Sequence, residues 1–161
     1  MNVMMLLEMA AQGFGERVAF TNGRESLTYQ ELYDAAGAAA AHIRRSGVQY
    51  LAMLDVSSLA VPVGLFASAW AGVPYVPINY RLTDSEIKAL LARVEPALLV
   101  TGADRMEEFS GHADLQLCQR DDFLALARSG EPLAEPWSMD QEDIGVLLFT
   151  SGTTGAPKAA V

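Results

Sequence analysis

Apolar residues recur along this chain at two spacings, and the exchange between the two predicts the fold. Val3, Leu6, Leu7 and Ala10 fall on one face of a helix, which Gly13 and Gly15 should end. Val18 to Thr21 and Ser26 to Tyr29 then flank Asn22-Gly23, the pattern of a β-hairpin turning at Asn-Gly. Thr28 followed by Glu31 makes a capping box for a second helix. That helix carries Leu32, Ala35, Ala36, Ala39 and Ile43, a stripe of small side chains that permits close packing, and Gly47 stops it.

From there strands and helices take turns. A strand is predicted over Leu51 to Val56, a buried helix near Leu59 to Ala71, and a short strand at Tyr75 to Ile78. Thr83 and Glu86 form a second capping box, behind which Ile87, Leu90, Leu91 and Val94 keep helical spacing up to Pro96. Ala97 to Thr101 reads as a strand, Asp104 to Phe109 as a short helix, Leu115 to Cys118 as a strand and Asp121 to Arg128 as a helix. Residues 129–140, with Pro132 and Pro136, read as an internal loop or linker. Ile144 to Phe149 is short, apolar and branched, as a central strand buried on both faces should be. This alternation predicts an α/β fold with a mostly parallel sheet, flanking helices and right-handed crossovers. Ligands in such sheets bind beyond the carboxyl ends of the strands. There is no internal repeat and no low-complexity segment.

Composition narrows the partners. In 161 residues, 51% are hydrophobic, enough for one domain with a real core. The net charge of −9 argues against nucleic acid or an anionic membrane, both of which want a basic patch. Part of the acid excess lies between Asp121 and Phe149, where Arg128 is the sole basic residue, and reads as a solvated surface. Val56 to Tyr80 carries no charge, but Pro62, Gly64, Gly72, Pro74 and Pro77 interrupt it, so a buried βαβ segment accounts for it better than a membrane span. The start lacks a basic region and meets Glu8 early, so no signal peptide is expected and the expected location is cytoplasmic. Cys118 is alone and reads as an apolar filler. His42 is expected on the solvated face of its helix and His112 in a loop; two distant histidines and a cysteine do not make a metal site. Trp70 and Trp137 are expected to pack. Tyr80 and Arg81 follow a strand and could line a cleft, although a helix-entry loop with a surface arginine is the favoured reading.

The chemistry is concentrated at Thr150-Ser151-Gly152-Thr153-Thr154-Gly155-Ala156-Pro157-Lys158. A polyphosphate needs many short donors converging from several directions. Gly152 and Gly155 let backbone N–H groups approach an anion. Thr150, Ser151, Thr153 and Thr154 add hydroxyls that can also reach a magnesium ion, and Lys158 adds a mobile cation. Pro157 stiffens the exit. This is not the common P-loop, which needs Gly-Lys-Ser/Thr at a helix start; here Pro157 intervenes and Ala159-Ala160-Val161 looks like a returning strand. The segment is therefore read as a polyphosphate-binding loop.

Phe149 to Lys158 resembles the signature loop of the AMP-forming adenylating enzymes, which include acyl-CoA synthetases, peptide-synthetase adenylation domains and luciferases. Leu27-Thr28-Tyr29-Gln30-Glu31-Leu32 is similar to that family's early L-T-Y-x-E-L element, and Ala71 to Leu82 to its A-G-x-x-Y-V-P-I element. The family often has Gly where this chain has Ala159. Asn79-Tyr80-Arg81-Leu82 looks more like acyl-CoA synthetases than like peptide-synthetase domains, which usually carry Asp-Pro at Asn79-Tyr80.

The resemblance implies that residues 1–161 are the N-terminal portion of the adenylating large domain, cut just after the phosphate loop. It implies ATP, Mg2+ and coenzyme A as the small molecules used, with a small-molecule carboxylic acid as substrate. It places adenine contacts, acyl pocket and catalytic lysine beyond Val161, so no catalytic residue is assigned here and this piece is expected to be inactive alone and prone to self-association. An adenylation domain of a peptide synthetase, or a non-catalytic module derived from the family, remain as alternatives.

Overall fold

The computed structural model describes residues 2–23, 25–138, 143–150 and 158–160. Helix α1 (Val3–Phe14) is capped by Asn2, whose side chain accepts from the Met4 N–H at 2.9 Å. Strands β1 (Val18–Asn22) and β2 (Glu25–Thr28) form the expected hairpin. Asn22 pairs with Glu25, so the turn falls one position later than expected, with Gly23 at φ 62°. Tyr29 opens helix α2 (Tyr29–Ser46) rather than closing β2. The capping box forms as expected: Thr28 Oγ1 accepts from the Glu31 N–H at 3.1 Å and Glu31 Oε2 accepts from the Thr28 N–H at 2.8 Å.

The central sheet has four parallel strands in the order β4 (Tyr75–Pro77), β3 (Tyr50–Leu54), β5 (Ala97–Thr101), β6 (Leu115–Gln119). Strand period decides which layer each side chain meets. Leu51, Met53, Tyr75, Leu98 and Val100 face α2, α3 (Ala60–Ala71) and α5 (Arg120–Ser129). Ala52, Leu54, Val76, Ala97 and Leu99 face the opposite layer, built from α4 (Asp84–Leu91) and Phe109. Both faces are covered, which is why these strands read as continuous apolar runs. Pro62 fits in α3 because it lies in the first turn, where its missing N–H has no helical partner to lose.

Two elements depart from the expected boundaries. Helix α4 stops at Leu91, yet Val94 is fully buried because i−3 bonds from Arg93 and Val94 continue the turn. The segment expected as one short helix is two 3-10 turns, Ala103–Arg105 and Glu107–Phe109, tied to α4 by Arg105, which bonds Asp84 at 2.7 Å and Glu108 at 2.8 Å.

Residues 130–138 hold no helix or strand but are fastened across the α2–α3 surface. Leu133 N–H donates to Gly37 O at 3.0 Å, and Trp70 Nε1 donates to Glu135 O at 2.9 Å. The Trp70 ring packs on Tyr33, with centroids 5.0 Å apart. A Cβ on Gly37 would lie 2.9 Å from Pro132 Cβ and 3.2 Å from Trp70 Cζ3, so this position holds three elements together by having no side chain. Gly37→Leu should therefore lower the stability to chemical denaturation by about 2 kcal/mol through overpacking. An unchanged denaturation midpoint would contradict the close approach.

Candidate nucleotide-binding site

A fifth run of chain joins the sheet at its β4 edge. Tyr75 N–H donates to Gly145 O and Leu147 N–H donates to Tyr75 O, both at 2.9 Å, in a parallel bridge centred on Val146. Parallel direction carries the following residues toward the carboxyl end of β4. There β7 (Leu148–Thr150) pairs antiparallel with β8 (Lys158–Ala160): Leu148 opposite Ala160, Phe149 opposite Ala159, Thr150 opposite Lys158. The two ends of the candidate loop thus face each other across one ladder, and the return strand expected from Ala159-Ala160 is present. Ser151, Gly152, Thr153, Thr154 and Gly155 lie outside the described residues, as do the side chains of Thr150 and Lys158.

The expectation that Ile144 to Phe149 is buried on both faces is corrected. Leu147 and Phe149 pack into the α4 layer and Val146 into the other, but Ile144 and Leu148 are 45% and 48% exposed. The chain leaves the main sheet after Leu147 to form its own hairpin, so the described helices cover only part of it. At the root of that hairpin the Arg93 guanidinium lies over the Phe149 ring, 4.9 Å from its centroid.

Neighbouring strands end nearby in polar turns. Beyond β4, Asn79 Oδ1 accepts from the Arg81 N–H at 3.0 Å and Asn79 O accepts from the Leu82 N–H at 3.2 Å, a tight entry into α4. Tyr80 is 45% exposed and the Arg81 guanidinium stands 5.6 Å from its ring centroid. Both therefore occupy a helix-entry turn, as favoured, yet at the carboxyl edge of the sheet. Beyond β3, the Asp55 carboxylate is 2% exposed, paired with Arg120 at 3.3 Å and accepting from the Ser58 hydroxyl. Ser58 Oγ accepts in turn from Ala60 N–H at 3.1 Å, capping the first turn of α3. Sequence reasoning missed this cluster; its one signal was a lone carboxylate in the apolar run Leu51 to Val56. The Tyr75 hydroxyl is buried without a hydrogen-bond partner among the described residues. Burial, reinforced by the Asp55 charge, raises its pKa and keeps it protonated.

The remaining candidates stay outside this edge. His42 is half-buried rather than solvated, and burial together with Arg45 lowers its pKa, so it is neutral near pH 7. His112 is exposed in a loop. Cys118 is partly buried, with its thiol pushed up to about 11 by burial and Asp122. Among the described residues no group of three or more His, Cys, Asp or Glu could hold a metal, and no helix is long and apolar enough to cross a membrane.

Residues 7–161 match the family model described as AMP-binding enzyme, and the chain belongs to that family. It is 31% identical over 160 residues to gramicidin S synthase 2 of Brevibacillus brevis, covering 97% of this chain and 4% of that protein. Over 157 residues it is 27% identical to D-alanine--D-alanyl carrier protein ligase of Staphylococcus haemolyticus, covering 98% of this chain and 31% of the ligase. With 3-[(3aS,4S,7aS)-7a-methyl-1,5-dioxo-octahydro-1H-inden-4-yl]propanoyl:CoA ligase of Rhodococcus jostii it shares 30% identity over 185 aligned positions, covering 96% of this chain and 36% of that enzyme. The structure of VinN with 3-methylaspartate superimposes with a TM-score of 0.85 at 25% identity, over 98% of this chain and 46% of VinN. The chain thus spans about a third or less of the length of these curated relatives.

Two outcomes follow from the burial of these groups. Tyr75→Phe should leave the protein equally stable or up to about 1 kcal/mol more stable, because it removes an unpaired hydroxyl from the interior. A loss of stability in thermal unfolding would reveal a partner for that hydroxyl. Iodoacetamide at pH 8 should alkylate folded Cys118 at least about tenfold more slowly than the denatured chain. Equal rates would mean the thiol is neither shielded nor raised.

Proposed function

We propose that this chain supplies the phosphate-gripping part of an enzyme that activates a carboxylic acid as an acyl-adenylate. The supporting observation is the pairing of Thr150 with Lys158, which closes a glycine-and-hydroxyl loop at the carboxyl edge of the sheet. Such edges are where open α/β folds bind ligands.

A carboxylate is a poor acyl donor because its oxygen leaves badly and its charge repels nucleophiles. In the proposed reaction a carboxylate oxygen attacks the α-phosphorus of MgATP, and the bond to the β-phosphate oxygen breaks with its electron pair leaving on pyrophosphate. Negative charge therefore grows on the β,γ-phosphates. The assigned groups are Thr150, Ser151, Gly152, Thr153, Thr154, Gly155 and Lys158. Hydroxyl and amide donors fixed in advance around that charge lower the barrier without reorganisation. A thiol then attacks the acyl carbon and AMP departs. The magnesium ion arrives with ATP and neutralises part of its charge; the threonine hydroxyls of the loop are of the chemistry that could help hold it.

For the acceptor, the run Asn79-Tyr80-Arg81-Leu82 favours coenzyme A and a fatty-acid or related carboxylate. A carrier-bound thiol, as in a peptide-synthetase adenylation domain, has equal support from the relatives. One is named a CoA ligase, one a carrier protein ligase and one a gramicidin synthase. Formation of an acyl thioester with free coenzyme A, or its absence when a carrier protein serves instead, separates the two. For the shared first step, Thr153→Ala with Thr154→Ala in the full-length enzyme should lower carboxylate-dependent ATP–pyrophosphate exchange by about a hundredfold. Exchange at the unsubstituted rate would remove the loop from the mechanism.

A further inference from the structure

The geometry points to Arg93 as a positioning residue for the phosphate loop, acting through Phe149. This inference rests on the phosphate-loop reading above and adds to it a residue distant in sequence. Phe149 is the half-buried side chain immediately before Thr150, where β7 gives way to the loop. Its side chain packs against the apolar cluster of the α4 layer, to which Ile87 and Leu90 belong. Over the ring lies the Arg93 guanidinium, at 4.9 Å from the centroid. Arg93 itself is held by the turn that follows α4, where its N–H donates to Leu90 O at 3.0 Å. A rigid helix end thus clamps the last ring before the loop.

The clamp matters because, among the described residues, little else holds β7. Strand β7 has left the main sheet and, among the described residues, pairs with the short β8 alone. Its neighbour Leu148 is half exposed. A guanidinium over an aromatic face is attracted by the ring quadrupole and, being planar, also stacks. Fixing Phe149 fixes the direction of the Thr150 N–H and C=O, and with them the start of the loop. Lysine retains the charge and part of the attraction; glutamine retains polar bulk and loses both.

The experiment measures two quantities on the protein and its variants: the dissociation constant of MgATP and the amide hydrogen exchange of Leu148 and Phe149. Arg93→Gln should weaken MgATP about two- to fivefold and quicken exchange at Leu148 and Phe149 by a similar factor, the size of one partly exposed cation–π contact. Exchange in β3 and β5 should not move, which excludes general loosening. Arg93→Lys should recover most of both effects. In a Phe149→Leu background, the effect of Arg93→Gln on both quantities should shrink. Arg93→Gln behaving as the unsubstituted protein in both measurements would overturn the inference. So would an undiminished effect of Arg93→Gln in the Phe149→Leu background, since the charge would then act on the nucleotide directly. If the unsubstituted protein fails to bind MgATP, the phosphate-loop reading falls; the exchange at Leu148 and Phe149 then decides by itself whether Arg93 holds the strand.

Discussion

Two backbone hydrogen bonds, from Tyr75 N–H to Gly145 O and from Leu147 N–H to Tyr75 O, decide where the candidate loop can act. They set residues 145–147 parallel to β4, so the chain must leave the sheet at its carboxyl edge. Had the same residues paired antiparallel, the glycines and hydroxyls would emerge at the opposite edge, away from the turns after β3, β4 and β5. Everything proposed about phosphate chemistry inherits this one choice of direction.

That choice is stable because the strand beneath it is. Tyr75 packs against Gly64 of α3, which has no side chain to hold it off, and Val76 is buried in the α4 layer. Small residues recur wherever elements must approach closely: Ala35, Ala36, Ala39 and Ala40 in α2, Gly37 against Trp70 and Pro132. The α2–α3 surface is consequently dense, and the backbone of the 130–138 segment is tied down, donating to Gly37 O and accepting from Trp70 Nε1 and Asn2 Nδ2. Residues 130–138, which follow the last helix, are thereby anchored to the helical layer.

Local features were plain in the sequence because local hydrogen bonds make them. Thr28 with Glu31 and Thr83 with Glu86 need only three residues of spacing to satisfy helix N-terminal donors. Gly47 and Gly72 end helices in the left-handed conformation that other residues resist. The parallel sheet followed from alternation of strand and helix. Nonlocal outcomes were hidden. Nothing in residues 144–149 says that Tyr75 will be their partner, or that Leu148 will face solvent while Phe149 does not. Asp55 meets Arg120 across 65 residues, and neither position advertises the other. Arg93 over Phe149 is of the same kind. The proposed loop chemistry could be read from sequence because it uses contiguous residues; the support proposed for it, Arg93, is distant.

The central claim is that residues 150–158 surround the phosphate tail of a nucleotide. Titrating isotopically labelled protein with MgATP while following backbone amide chemical shifts tests it residue by residue. Saturable shifts concentrated at Thr150 through Lys158, reproduced by pyrophosphate and not by adenosine, are the predicted result. Shifts that saturate elsewhere while the amides of Gly152, Thr153, Thr154 and Gly155 stay unmoved would contradict it.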